Sequence, residues 1–478
     1  MSAGIDKLKS ELPSGAWTQD LDIITPHLRE WRDKYFGQTP IMLTPRSTEE
    51  VAISVKICAE HKLAIMPQGG NTGLVGGNTP QGEVLISLKK MSKVREINPT
   101  SNAMIVEAGA TLQSVLDAAD QAGRKFPLTL SSQGSCTIGG VISTNAGGNH
   151  VLKYGTTKDL IFGVEAVLAD GSIFNGLTSL RKDNTGYDLN RLFLGAEGTL
   201  GIVTAASLKL FPKPGYVQRA LIGVRDTAKA VSLLEDFRSG GRLSMFEVMP
   251  RIGFEAVIEN FENIRDPFEA RHNWYLLCDW EVDNPEDGQA LSESIITKAF
   301  EAKKIQDAVI AQNETQAADL LSIRENMSEA QKFLGGSIKH DITIPIDRIP
   351  EFFQMADCAL ATFIPGCRPI AFGHFGDGNI HYNISQPIGM DKEKYLSKWE
   401  EMSRIVFDIV GEFGGSISAE HGIGIMKRDD LVERSDPVKI QLLRSIKKAL
   451  DPDPNYESQS HDLEQSMCFR IFQSITPI

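Results

Sequence analysis

The sequence predicts an α+β protein with two domains and a C-terminal segment that carries chemistry. Three features predict it. Short strand-like runs recur between clusters of turn residues, several of them read as antiparallel hairpins, and Pro212, Pro214 and Gly215 separate a glycine-rich half from a half with longer helical patterns. A regular doubly wound sheet fits this order poorly, because its strands must alternate with crossover helices. The expected domains are residues 1–213, 214–370 and 371–478.

The elements follow in chain order. Ser47 to Lys62 opens with Ser47 and Glu50 at capping-box spacing, and Val51, Val55 and Cys58 recur on one helical face. A short strand, LAIMP, leads into a glycine-rich loop from Pro67 to Asn78. EVLISL and NAMIVEAGA read as strands, and Thr111 to Ala122 as a helix stopped by Gly123. A second glycine-rich stretch, Gly134 to Gly148, precedes GVEAVLADGSIFNG, a hairpin turning at Asp170 and Gly171; Gly201 to Phe211 adds a strand. From Tyr216 onward, helices are expected at Asp226 to Arg238 and Thr315 to Phe333, and strands at Trp274 to Val282 and His340 to Pro345.

Arg368 to Phe375 and Ile380 to Ser385 complete the series as a hairpin around the turn formers Gly376, Asp377, Gly378 and Asn379. With that four-residue loop, His374 and His381 oppose each other with β-carbons roughly 5 Å apart, close enough to share one ion. Glu420 could add a carboxylate oxygen, and His421 lies beside it, a concentration drawn from only nine histidines. Two imidazoles and a carboxylate favour zinc or a neighbouring transition metal over magnesium. Asp377, between two glycines, reads as a turn cap rather than a ligand.

Composition narrows the classes. A chain of 478 residues with 41% hydrophobic and 23% charged residues is ordinary for a globular protein, and no run approaches the roughly 20 apolar residues of a membrane helix. The N-terminus lacks the apolar core of a signal peptide, and a cytoplasmic location is expected. Six cysteines lie scattered without CxxC pairs, which suits a reducing compartment and opposes a cysteine zinc site. A net charge of −13 opposes nucleic-acid backbones.

The glycine loops suggest a phosphate-bearing cofactor, because glycine lets an anionic ligand approach main-chain amides. Neither loop matches GxGxxG opening a helix, nor the GKS or GKT of a nucleotide-triphosphate loop, so NAD and ATP drop in rank. PQGGNTGLVGG, GSCTIGGVISTNAGG, VLKYGTTKDLIFGVEAVLADG, NTGYDLNRLFLGAEGTLGIVT, GHFGDGNIHYN and SAEHGIG occur here in this order. In these motifs, over about Pro40 to Pro452, the chain resembles FAD-linked 2-hydroxy-acid dehydrogenases of the vanillyl-alcohol oxidase/p-cresol methylhydroxylase fold group. Within them it is most similar to D-2-hydroxyglutarate dehydrogenases, with D-lactate dehydrogenases and the glycolate oxidase flavin subunit close behind.

The resemblance implies an FAD-binding domain and an α+β substrate (cap) domain. It implies that Gly69, Gly70, Asn71, Thr72, Gly73 and Leu74 wrap the FAD pyrophosphate. Ser135, Gly139, Gly140, Thr144, Asn145 and Gly148 line the flavin and ribityl chain, and Gly201 and Val203 lie near the adenine. With neither histidine nor cysteine between Pro67 and Gly77, dissociable FAD is expected. By the same resemblance His374, His381 and Glu420 hold the divalent metal, His421 is the base, Arg324 binds the substrate carboxylate, and Ser328, Lys339 and Asn383 make further substrate contacts. A second cation at Lys339 favours a dicarboxylate. The implied electron acceptors are an electron-transfer flavoprotein or a quinone-linked carrier, and a homodimer is one possible state. A direct oxidase, a metal-dependent hydrolase and a metal-stabilised binding module stay open as alternatives. The last 26 residues carry no family-derived role, since the chain departs there from the family's usual ending.

Overall fold

The computed structural model of the chain describes residues 1–238 and 242–452. Residues 453–478, to which the sequence assigns no role, lie outside the described residues. Two compact units result: the first is Met1–Gly147 with Gly155–Lys213 and the chain from Glu420, and the second is Gly148–Tyr154 with Pro214–Ala419. Residues 371–419 fall in the second unit, and the described chain from Glu420 falls in the first. His374 and His381 belong to the second unit, Glu420 and His421 to the first.

Among the described residues the first unit holds a four-stranded and a five-stranded sheet, beside a two-stranded pairing of Arg124–Lys125 with Phe211–Pro212. One orders Trp17–Thr18, Met42–Leu43, Val84–Ser87 and Ile65–Gln68, with its last three strands parallel. The helix Thr48–Glu60 covers it, placing Val51, Val55 and Cys58 in one core with Leu43, Ile65 and Ile86. Ser47 Oγ accepts the Glu50 N–H at its start, while the Glu50 carboxylate turns to the Arg46 N–H instead of completing the box at Ser47. The other sheet is antiparallel in the order Val94–Asn98, Ala103–Glu107, Ile202–Lys209, Ile161–Val167 and Ile173–Asn175. Its hairpin turns where the sequence places it, with Gly171 at φ +83° and Asp170 accepting the Ser172 N–H.

In the second unit an antiparallel sheet orders Leu243–Pro250, Trp274–Val282, Tyr216–Val224 and Asp307–Ile310. It is buried on both faces. Ala220, Ile222 and Val224 pack under the helices Thr227–Arg238 and Pro285–Glu301, while Leu221, on the opposite face, meets Phe254 of the helix Arg251–Asn260 and Leu320 and Ile323 of Glu314–Glu325. A smaller sheet centres on Asn379–Ser385, flanked by Arg368–Phe372 on one side and by Ser337–Ile338 and Asp341–Thr343 on the other.

Two expectations are corrected here. The helix predicted over Thr315 to Phe333 breaks: Glu314–Glu325 ends at Asn326, whose side chain donates to the Ser322 carbonyl, and a separate short turn of helix runs Met327–Ala330. Asparagine competes for helical carbonyls in this way, and on either side of the break Arg324 is buried while Ser328 is exposed. The hairpin register also differs. His381 pairs with Phe372, not His374, and the connection is longer than four residues because Gly373, at φ +142°, leaves the hairpin to exchange both backbone hydrogen bonds with Val248, each 3.0 Å.

The Arg219–Asp279 pair tests the double burial of the larger sheet. Arg219 makes a two-pronged ion pair at 2.6 and 2.7 Å and donates to the Ala317 carbonyl, with Asp279 only 1% exposed. Asp279→Ala is expected to destabilise the second unit by about 3–5 kcal/mol by stranding a buried cation. The measurement is the urea midpoint followed by tryptophan fluorescence; an unmoved midpoint would show the pair to be dispensable.

Candidate functional site

In the first unit the two glycine-rich segments form the walls of an open cleft of about 250 Å³. A Cβ on Gly70 would sit 2.1 Å from the Ser135 carbonyl oxygen, and one on Gly69 would sit 2.2 Å from Thr137 Oγ1. These glycines are thus required for the walls to pack against each other. Gly140 has a different reason, since its Cβ would meet nothing nearer than Thr137 Oγ1 at 3.7 Å and it opens onto the cleft. The loop is held from behind: Gln68 donates to the His27 and Asn78 carbonyls, Asn71 (φ +61°) donates to those of Pro26 and Arg29, and Asn78 donates to Asn71 at 2.6 Å. Thr137 Oγ1 and Asn78 Oδ1, both on the cleft residues, are buried without a hydrogen-bond partner.

Glu420 and His421 line the same cleft. The chain that follows them is anchored by Glu197, itself at φ +52°, whose carboxylate accepts the Ile423 N–H at 2.8 Å and the Gly424 N–H at 2.9 Å. Burial pushes the Glu197 carboxyl above its usual range, against the pull of those two amides and of Lys427.

In the second unit the chemistry gathers around Glu247, fully buried in the strand Leu243–Pro250. One carboxylate oxygen meets His374 Nδ1 at 2.5 Å and the other meets Arg324 Nε at 2.6 Å. Burial acts to raise the Glu247 pKa, but the charges and hydrogen bonds of His374 and Arg324 outweigh it and hold the group at about 2. The Arg324 guanidinium lies 4.8 Å over the Phe372 ring. The His374 and His381 rings are 5.4 Å apart, and His381 Nδ1 lies 3.7 Å from the buried Asp341 carboxylate.

Of the residues assigned to FAD, all six of Gly69 to Leu74 line the cleft, as do Gly139, Gly140, Thr144, Gly201 and Val203. Ser135, Asn145 and Gly148 do not. Ser135 is exposed, and Asn145 is a left-handed helix cap accepting the Lys158 N–H. In the second unit Arg324 and Asn383 are buried, Asn383 donating to Gln331 at 3.1 Å; Lys339 is half-buried and Ser328 exposed. Sequence reasoning missed Glu197, Glu247 and Asp341. The available signal was a charged residue inside an apolar strand, as in LSMFEVMP, where it needs a partner.

The chain is similar to known proteins. The family of FAD linked oxidases, C-terminal domain, matches residues 213–454, and the FAD binding domain family matches residues 39–176. The mitochondrial D-2-hydroxyglutarate dehydrogenase of Arabidopsis thaliana is 36% identical over 431 residues, covering 88% of this chain and 75% of that protein. The D-2-hydroxyglutarate dehydrogenase of Stutzerimonas stutzeri is 32% identical, covering 94% and 96%. Among solved structures, substrate-bound p-cresol methylhydroxylase superposes with a TM-score of 0.74 at 19% identity, covering 94% of each chain, which bears out the fold group.

Two expected outcomes follow. Glu197→Ala strands the amides of Ile423 and Gly424, so hydrogen exchange at those positions accelerates by the equivalent of about 1–3 kcal/mol, read by mass spectrometry. Burial, opposed by His374 and the Asn379 N–H, lifts the Asp377 carboxyl to about 6. Its ionised form is therefore penalised in the fold, and stability falls as pH rises from about 4, the unfolded value, through about 6. Asp377→Asn, which can still accept the Asn379 N–H, should flatten that part of the melting-temperature profile of the metal-free protein.

Proposed function

We propose a function on one premise: the chain belongs to the FAD-linked oxidase family. It is an FAD-dependent dehydrogenase that oxidises a small D-2-hydroxy acid, D-2-hydroxyglutarate, to the 2-oxo acid. The observation that carries this reading is the sustained identity, 36% over 431 residues, with a protein named for that reaction. The D-lactate and glycolate alternatives are not favoured by those names, and a hydrolase would leave the glycine-walled cleft without a task.

The cleft suits FAD. Its walls supply closely approachable amides, open space over Gly140 and two partnerless oxygens, Thr137 Oγ1 and Asn78 Oδ1. When bound there, FAD supplies the acceptor for the hydride leaving the substrate C2. His374, His381 and Glu420 are the proposed ligands of a divalent ion, zinc being the best match to their chemistry, which would polarise the substrate hydroxyl. The support is the donor set, together with the tie of His374 Nδ1 to a buried carboxylate, the arrangement that metal-binding histidines adopt.

The chain's own residues do the rest. His421 takes the hydroxyl proton, Arg324 holds the C1 carboxylate with its terminal nitrogens, and Asn383 helps orient it. Lys339 meets the second carboxylate, which selects a dicarboxylate over lactate. Electrons then pass to an electron-transfer flavoprotein or quinone-linked carrier, and the chain works as a homodimer in the cytoplasm; cell fractionation tests the compartment, since the plant relative's name says mitochondrial.

Purified protein should be yellow, bleach anaerobically with D-2-hydroxyglutarate and recover colour with an acceptor. Greater efficiency with D-lactate than with D-2-hydroxyglutarate or D-malate would refute the dicarboxylate reading. Chelation should remove one divalent ion per chain and most activity while leaving FAD bound; full activity after proven metal loss would remove the ion from the mechanism. His421→Ala should lower kcat by about 10²–10⁴-fold.

A further inference from the structure

We infer that Glu247 is a positioning residue that fixes the tautomer of His374 and the presented edge of Arg324 at once. The inference rests on the proposed reading of those two residues as metal ligand and carboxylate anchor. An ionised carboxylate can only accept hydrogen bonds, so both partners must donate. Arg324 donates from Nε, which leaves the edge formed by its two terminal nitrogens as the fork that meets a substrate carboxylate. His374 donates from Nδ1, so in the neutral ring Nε2 carries the lone pair that a metal requires.

The backbone makes this arrangement hard to escape. Val248 and Gly373 exchange two hydrogen bonds at 3.0 Å, which sets Glu247 and His374, their chain neighbours, against each other. The Phe372 ring, one residue earlier, lies 4.8 Å beneath the guanidinium. Glu247 shares a sheet face with the buried methionines Met245 and Met249 and is itself fully enclosed, so no solvent molecule can substitute for either partner.

Glu247→Gln separates the two roles. The amide has one acceptor oxygen and one donor nitrogen. Arg324 can only donate and therefore claims the oxygen; the NH2 then faces His374 Nδ1, which must accept, moving the ring proton to Nε2. Nitrogen-15 NMR of the histidine side chains in FAD-loaded, metal-free protein reads this directly: His374 should be the Nδ1–H form in the wild type and the Nε2–H form in the variant. Affinity for Zn²⁺ should fall by about 10–100-fold. Inhibition by glutarate, a dicarboxylate without the hydroxyl, should change less than about threefold for Glu247→Gln, because Arg324 keeps its partner, and should weaken clearly for Glu247→Ala, which frees both. An unchanged tautomer with unchanged Zn²⁺ affinity in Glu247→Gln would overturn the inference. So would equal loss of Zn²⁺, glutarate and thermal stability in both variants, the mark of a merely structural residue. Wild-type protein that shows the Nδ1–H form yet binds no Zn²⁺ supports the tautomer assignment and instead defeats the metal reading of His374.

Discussion

A single buried carboxylate organises the second unit. Glu247 sits in a strand with every residue buried, where an isolated charge would be expelled or neutralised. It stays ionised because an arginine and a histidine converge on it from elements distant in sequence, one from the end of the helix Glu314–Glu325 and one from the loop that follows Arg368–Phe372. Removing Arg324 or Glu247 would leave a buried charge uncompensated, and removing His374 would leave a carboxylate oxygen without its donor, so the three are kept in one geometry. The Gly373–Val248 exchange is the backbone half of the same device, since it draws the histidine loop out of its hairpin and onto the larger sheet.

The first unit solves a different problem with glycine. Its cleft walls meet through main-chain atoms, and a methyl group at Gly69 or Gly70 would collide with the opposite wall. The loop has no regular secondary structure of its own between Ile65–Gln68 and Val84–Ser87, so its shape comes from side-chain amides acting as struts, chiefly Gln68, Asn71 and Asn78. A binding surface built from backbone must be rigid before the ligand arrives, because ordering it later would subtract from affinity.

Local features of the fold were legible in the sequence where local chemistry decides them. The Ser47 cap, the Thr111 to Ala122 helix and the Asp170–Gly171 turn each depend on residues within a few positions, and each forms where expected. The failures are tertiary. Nothing near Gly373 announces that its partner will be Val248, so the predicted register put His374 opposite His381; the rings still come within 5.4 Å, by another route. The Thr315 to Phe333 pattern is periodic enough for one helix, and only the Asn326 side chain turning back to Ser322 breaks it. Glu247 and Asp341 were overlooked because a lone acidic residue in an apolar run says that a partner exists without saying which. Resemblance supplied Arg324 and the cleft glycines, whereas composition alone left glycine turns and ligand loops indistinguishable.

Glu197 and Glu247 show why carboxylates recur behind such sites. Each bears a cost of burial, and each accepts two hydrogen bonds: from two backbone amides after His421 in one case, from an imidazole and a guanidinium in the other. A hydroxyl or amide in either place could donate or accept, and its partners could then adopt more than one arrangement. The ionised Glu247 carboxylate removes that freedom, because a donor turned away from it leaves a buried charge unsatisfied. Charge is thus used here for directionality more than for attraction, and the proton positions on which acid–base chemistry depends follow from it.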